Sequence, residues 1–126
     1  MKKYLLALMV LFFLPLSAPA QEREEELHFK PGASSIQINR GIARGETMRF
    51  LLGARGGQTM KVVVQSVESN AVFEVIGNGG SLGQSAPANG KQKWSGVIPG
   101  YGDDTIAIVV GSERGGSDFN LYVEIR

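Results

Sequence analysis

Short apolar segments that alternate with polar residues, separated by glycine clusters, constrain most strongly what this chain can fold into. In the clearest segment, Phe119, Leu121, Val123 and Ile125 occupy every second position. An apolar period of two is typical of a strand with one buried face. The chain contains 17 glycines, and many lie between such segments, where their tolerance of positive φ favours turns.

The same pattern predicts a fold built from strands alone. The predicted strands lie at 27–30, 34–43, 48–52, 58–67, 71–76, 91–98, 105–110 and 119–125. After residue 26, no stretch shows a convincing helical period, and no linker is long enough to divide two domains. About eight short strands at this spacing predict an all-β fold, a single antiparallel β-sandwich of jelly-roll-like form.

The N-terminus has the three parts of a cleavable secretory signal peptide. Lys2 and Lys3 supply positive charge, residues 4–14 are apolar, and small residues at 18–20 suit a signal peptidase. The apolar run is shorter than the ~20 residues of a membrane span. We therefore expect a periplasmic or secreted protein with no membrane insertion after cleavage; an uncleaved anchor is the alternative. The predicted divisions are a signal peptide at 1–20, a polar N-terminal arm at 21–26 and a β-sandwich domain at 27–126.

Charge and composition argue against several classes of function. Loss of Lys2 and Lys3 from the 13 basic residues leaves 11 against 12 acidic ones, so we expect no nucleic-acid partner. The chain has no cysteine, which excludes disulfides and zinc sites built from His and Cys. His28 is the one histidine, and a half-exposed strand histidine is the favoured interpretation.

These counts predict that the protein is not an enzyme and needs no cofactor. Nucleophilic triads need a histidine within hydrogen-bond reach of the nucleophile. Few residues near His28 could orient its ring. A hydrolase that uses paired carboxylates such as Asp103 or Glu113 remains a formal alternative.

Four stretches of the chain carry a resemblance to known exported proteins. They are 29–35, 41–46 followed by Phe50, 54–58 followed by 61–64, and 98–104 followed by 106–110 and 119–125. From Leu27 to Arg126 the chain resembles the bacterial pre-peptidase C-terminal β-sandwich domain. It resembles more specifically the periplasmic inhibitors of goose-type (g-type) lysozyme. The resemblance implies a non-enzymatic binding protein whose loops occlude a lysozyme cleft, with g-type lysozyme as the partner.

Two loops hold most of the candidate binding residues. Arg114 lies in the glycine-flanked loop 111–117, and a guanidinium is well shaped to pair with a carboxylate in a cleft. Arg44 and Glu46 lie in the loop 43–47, where a salt bridge at the hairpin tip is the alternative interpretation. The predicted partner-binding residues are Arg114, Arg44, Glu46, Glu113 and Tyr101. A shared inhibitory edge requires the two loops to lie at the same end of the sandwich.

Two other features allow weaker hypotheses. Asp103 and Asp104 lie among glycines and could offer oxygens to Ca²⁺, but we expect no metal and favour a turn-capping role. Trp94 lies in mid-strand, where filling the core is favoured over stacking on a sugar. An accessory module that binds carbohydrate or a cell-wall polymer is the alternative function, and it needs Trp94 and Tyr101 on one exposed face.

Overall fold

The structure is a computed structural model that describes residues 22–126. The predicted signal peptide at 1–20 lies outside the described residues. The strands are β1 Glu22–Glu26, β2 Ser35–Ile42, β3 Thr47–Arg55, β4 Thr59–Ser66, β5 Ala71–Gly77, β6 Gly80–Gln84, β7 Ala86–Ala88, β8 Lys91–Val97, β9 Asp103–Ser112 and β10 Ser117–Ile125. Among residues 22–126, no helix is long and apolar enough to cross a membrane.

The ten strands form two five-stranded sheets. The first sheet has the order β1-β3-β9-β5-β6 and the second β2-β10-β4-β8-β7. All pairs are antiparallel except β1 with β3. The predicted all-β sandwich is therefore confirmed, with ten strands rather than about eight.

The core lies between the two sheets, as the alternating pattern requires. Buried side chains come from every second position of the central strands, for example Phe50 in β3 and Phe119 in β10. These two rings meet edge to face across the sheets, with centroids 6.1 Å apart and an interplanar angle of 84°. Such a pair adds about 0.5–1.5 kcal/mol beyond its buried area.

Three local predictions were wrong. Residues 27–30 are not a strand; the preceding charged residues Glu22–Glu26, predicted as a solvated arm, form β1 instead. Strands β6 and β7 were missed, because their Gly, Ser, Ala and Pro composition is typical of loops. The strand predicted at 105–110 begins at Asp103 instead, although Asp104 does cap a turn, since its Oδ2 accepts from the N–H of Asn78 after β5.

Trp94 packs against the core from its place in β8, which confirms the predicted core-filling role. Its indole ring covers Gly83 of β6 and Gly96 of its own strand. A side chain at Gly83 would collide with the indole nitrogen, and the φ of +159° adds strain. The glycine therefore gives the ring the space that lets it join two strands from different sheets.

Candidate functional site

The loops 43–46 and 113–116 lie side by side at one end of the sandwich. Ile42 is paired with Ser117, so β2 ends where β10 begins. A Cβ at Gly116 would stand 3.0 Å from the carbonyl oxygen of Ile42 and 3.8 Å from the backbone nitrogen of Arg44. The two loops are therefore in backbone contact, as a shared edge requires. We call this end of the sandwich, with loops 43–46, 67–70 and 113–116, the arginine end.

A buried asparagine fixes the backbone of loop 113–116. The Nδ2 of Asn70 donates to the carbonyls of Arg114 at 2.7 Å and Gly116 at 2.9 Å. The carbonyl of Asn70 accepts from the N–H of Glu113 at 2.9 Å. Asn70 is only 5% exposed. Asn70 therefore bonds to three backbone groups of the loop, two through its side-chain amide and one through its carbonyl, and the loop conformation is set by the fold beneath it.

Asn70 was missed by the sequence analysis. Its own N–H and that of Ala71 both donate to the hydroxyl of Ser66, at 3.0 and 3.1 Å. Ser69 has a φ of 53°, which a turn residue adopts to reverse the chain. A Ser-Asn pair after a strand indicates a turn, but it does not indicate that the asparagine supports a distant loop.

Arg114 and Glu113 lie at the exposed tip of their loop. The hydroxyl of Ser112 donates to the Arg114 carbonyl at 2.9 Å and accepts from its N–H at 3.3 Å. With the Asn70 bond, three hydrogen bonds hold the Arg114 backbone. Both side chains are exposed, so a charged pair projects from a rigid base.

Arg44 and Glu46 have different roles in the neighbouring loop. The Oε1 of Glu46 accepts from the N–H of Ala43 at 2.9 Å and lies 3.6 Å from the Nε of Arg23. The Glu46 side chain is only 16% exposed. The Glu46 side chain therefore stabilises the turn between β2 and β3, whereas the side chain of Arg44 is exposed to solvent. The Glu46 pairing is with Arg23 rather than with Arg44.

Arg44 and Arg114 stand apart from the other arginines of the chain. Five of the seven arginines form ion pairs with carboxylates: Arg23, Arg40, Arg49, Arg55 and Arg126. Within residues 22–126, Arg44 and Arg114 have no such pair. Two guanidinium groups without a carboxylate partner in the described part of the chain thus lie on adjoining loops, at an end that also exposes Glu68 and Glu113.

Tyr101 lies at the opposite end of the sandwich. It is fully exposed in the loop between β8 and β9. That loop contacts the turn after β3, where the N–H of Gly56 donates to the carbonyl of Gly102 at 2.9 Å. The structure therefore brings Arg44, Arg114 and Glu113 together but does not bring Tyr101 to them.

The remaining candidates do not assemble a catalytic or metal centre. Asp103 lies 3.4 Å from the Nε of Arg55, and the Oδ2 of Asp104 accepts from the N–H of Asn78 at 3.1 Å. His28 is exposed, 3.5 Å from a carboxylate oxygen of Glu26. Among the described residues, no group of three or more acidic or histidine side chains could hold a metal ion.

An ion pair between β1 and β2 supports the arginine end from the side. Arg40 donates to both carboxylate oxygens of Glu25, at 2.8 and 2.5 Å. This hydrogen bonding holds the pKa of Glu25 below its ordinary value, although partial burial acts in the opposite direction. Arg23 of β1 also donates to the carbonyl of Gly41. The N-terminal strand is thereby tied to the base of loop 43–46.

The described residues thus form an all-β sandwich whose exposed charged loops meet at one end. No protein-family model matches the sequence, and neither does any curated protein. The chain is similar to the structure of PliG from Aeromonas hydrophila, a periplasmic inhibitor of g-type lysozyme. The identity is 26% and the TM-score 0.73, over 84% of this chain and 98% of that chain.

Two further structures share the fold. PliG from Salmonella Typhimurium is 19% identical with a TM-score of 0.59, over 82% of this chain and 98% of that one. The pre-peptidase C-terminal domain of a Bacillus anthracis collagenase is 7% identical with a TM-score of 0.55, over 87% and 99%. The resemblance predicted from the sequence is therefore confirmed in structure, and it supports a non-enzymatic binding role.

Proposed function

We propose that this chain is an exported inhibitor of g-type lysozyme, and that its arginine end enters the cleft of the enzyme. The observation that carries the proposal is the pairing of two adjoining loops, each with an arginine that has no carboxylate partner among residues 22–126. The likeness to PliG from Aeromonas hydrophila, over nearly all of that inhibitor, supports the choice of partner.

The exposed guanidinium groups of Arg44 and Arg114 are chemically complementary to the carboxylates of a lysozyme cleft. Lysozyme clefts carry catalytic carboxylates, and guanidinium groups bind carboxylates through paired, charge-assisted hydrogen bonds. Asn70 holds the Arg114 loop in place, so little conformational entropy is lost on binding. At the same end, Val67 exposes 80% of its surface and offers an apolar contact beside the charges. Export by the predicted signal peptide would bring the inhibitor to the compartment where lysozyme attacks the cell wall.

The direct test is the hydrolysis of peptidoglycan by g-type lysozyme in the presence of excess purified protein. We expect strong inhibition by the natural chain and a loss of about tenfold or more in affinity for Arg114→Ala, because one charge-assisted contact contributes about 1.5–3 kcal/mol. Arg44→Ala is expected to weaken inhibition in the same way. Undiminished hydrolysis with the natural chain would refute the proposal.

Arg55→Ala and Tyr101→Ala are the matched controls, since both residues are exposed at the opposite end. Neither is expected to change inhibition. A larger loss for Tyr101→Ala than for Arg114→Ala would place the contact at the other end of the sandwich.

The alternative function, binding of carbohydrate, needed Trp94 and Tyr101 on one exposed face, and the two residues do not share a face. Trp94 packs against the core in β8, whereas Tyr101 projects from the end of the sandwich. The two rings therefore form no common platform.

A further inference from the structure

The outer face of the second sheet carries a cluster of side-chain amides. Asn39 of β2, Asn120 of β10 and Gln65 of β4 stand in one row across three strands. Gln37 begins the next row, which continues through Tyr122 and Val63. These six positions point away from the core, because they alternate with buried or half-buried apolar residues.

Hydrogen bonds order three of the amides into a ladder. The Nε2 of Gln37 donates to the Oδ1 of Asn120 at 3.0 Å, and the Nδ2 of Asn120 donates to the Oδ1 of Asn39 at 2.8 Å. Within residues 22–126, the Oε1 of Gln37 and the Nδ2 of Asn39 have no side-chain partner. The ladder therefore ends in a free acceptor on one side and a free donor on the other.

An open groove of about 620 Å³ crosses the same face beside the ladder. Asn39, Gln65 and Asn120 line it, together with the exposed Val67 and two charged residues, Asp118 and Arg40, the latter paired with Glu25. The Asp118 carboxylate lies over the backbone of Gly41, where a Cβ would be 2.7 Å from its Oδ1. This carboxylate has no ion pair within the described part of the chain, so it is free to accept hydrogen bonds from hydroxyl groups.

An aromatic side chain adjoins the amides. Tyr122 is half-buried and its hydroxyl lies 3.3 Å from the Oε2 of Glu124, two residues along the same strand. The ring therefore leans along β10 rather than standing away from the sheet. Beside Val63, it offers an apolar surface on which the flat face of a sugar ring can stack.

On β2, β10 and β4 the six side chains of these two rows are uncharged, and the second row meets a charge only at Lys93 of β8, the partner of Val63. The outer face of the first sheet has charged residues in the corresponding rows, with Glu24 opposite Arg49 and Glu74 opposite Val109. A solvated sheet face usually carries such charges. The two amide rows instead combine uncharged donors and acceptors with an aromatic ring, as recognition of an uncharged polar ligand requires.

We propose that this face binds an uncharged glycan chain that carries N-acetyl groups. An N-acetyl group is itself an amide, with one donor and one acceptor, so it extends the ladder at either end. Sugar hydroxyls bond to Asp118 and Gln65, and a ring stacks on Tyr122. The amides lie on the face of the sheet, and the groove beside them reaches the arginine end at Val67. The proposal does not depend on lysozyme inhibition, because none of the amides belongs to the arginine end.

The test is titration of the purified protein with the N-acetylglucosamine hexamer, followed by calorimetry and by backbone amide shifts in NMR spectra. We expect shifts confined to β2, β10 and β4. Asn120→Ala removes the centre of the ladder and is expected to weaken binding about tenfold, since it removes two amide hydrogen bonds. Asn39→Ala, which changes an exposed side chain at the end of the ladder, is expected to weaken binding severalfold without affecting folding.

Two controls distinguish specific recognition of the N-acetylated glycan from nonspecific binding. Gln84→Ala removes an exposed amide from the other sheet and is expected to leave binding unchanged. A glucose hexamer without N-acetyl groups is expected to bind at least tenfold more weakly. No shifts in β2, β10 and β4 at millimolar hexamer would overturn the proposal, and so would equal binding of the two hexamers. Inhibition assays with Asn120→Ala keep the two sites distinct, because we expect this variant to inhibit lysozyme normally.

Discussion

The side-chain amide of Asn70 donates a 2.7 Å hydrogen bond to the backbone carbonyl of Arg114. A buried residue between β4 and β5 thus determines where an exposed residue between β9 and β10 is presented. The arginine end is for this reason part of the folded scaffold rather than a pair of independent loops.

Asn70→Ala is expected to lower the free energy of unfolding by about 1–3 kcal/mol, because it removes two part-buried hydrogen bonds and leaves the Arg114 carbonyl with only the Ser112 hydroxyl as donor. The Arg114 loop should also loosen, so we expect inhibition to weaken even where the protein remains folded. Denaturant unfolding and lysozyme inhibition measured on the same sample check both effects. Asn78→Ala, at an exposed position of the opposite end, is the control and should change neither. A stable variant with unaltered inhibition would contradict the bracing role of Asn70.

Gly116 provides a second test of the contact between the loops. A Cβ there would stand 3.0 Å from the carbonyl oxygen of Ile42, so Gly116→Ala should force loops 43–46 and 113–116 apart. We expect weaker inhibition with a loss of stability of about 1 kcal/mol or less. Gly102→Ala is the matched control, because its Cβ would enter open space. Equal inhibition by the two variants would show that the spacing of the loops does not matter for binding.

The ion pair between Glu25 and Arg40 predicts how stability depends on pH. Hydrogen bonding to Arg40 lowers the pKa of Glu25 in the folded protein, so the unfolded chain binds a proton at a higher pH than the folded one. The resulting stabilisation is complete above the ordinary glutamate pKa of about 4.3. It is lost as the pH falls below that value and through the lowered pKa.

Glu25→Gln should therefore destabilise the protein at pH 7 by roughly 0.5–1 kcal/mol, since the pair is partly exposed to solvent. The difference from the natural chain should shrink as the pH falls below the ordinary glutamate pKa and through the lowered pKa of Glu25, because the carboxylate then becomes protonated. Unfolding midpoints across this range check the prediction. Glu24→Gln is the control, because the Oε2 of Glu24 lies 3.9 Å from the Nε of Arg49 in a mostly exposed pair. A difference that persists undiminished at low pH would contradict the assigned ion pair.

The sequence predicted the parts of the fold that depend on local periodicity. The alternation from Phe119 to Ile125 indicated β10 with its buried face correctly assigned, because a strand buried on one side has an apolar residue at every second position. Strand β1 was missed because its five charged or polar residues carry no apolar period. Its place is set by pairing with β3, a contact between residues about 25 positions apart.

The candidate site was likewise predictable only where it depends on local sequence. Arg114 and Arg44 were predicted because glycines mark their loops as exposed. Whether those loops meet depends on strand order, which a period of two does not encode. The role of Asn70 depends on hydrogen bonds to residues more than 40 positions away, so no local pattern indicated it.

The contact between Gly83 and Trp94 shows how a missed strand contributes to stability, and it yields a further prediction. Gly83→Ala places a Cβ against the indole ring, which must move from its site against the core. We expect a loss of about 1–3 kcal/mol and a red shift of Trp94 fluorescence as the ring becomes more exposed to water. Gly53→Ala, whose Cβ would meet nothing within 4 Å, is the control. Because Trp94 is the only tryptophan, the spectrum reports this position alone. Unchanged fluorescence and stability in Gly83→Ala would mean that β6 does not hold the ring, and that the two sheets are not joined at this edge.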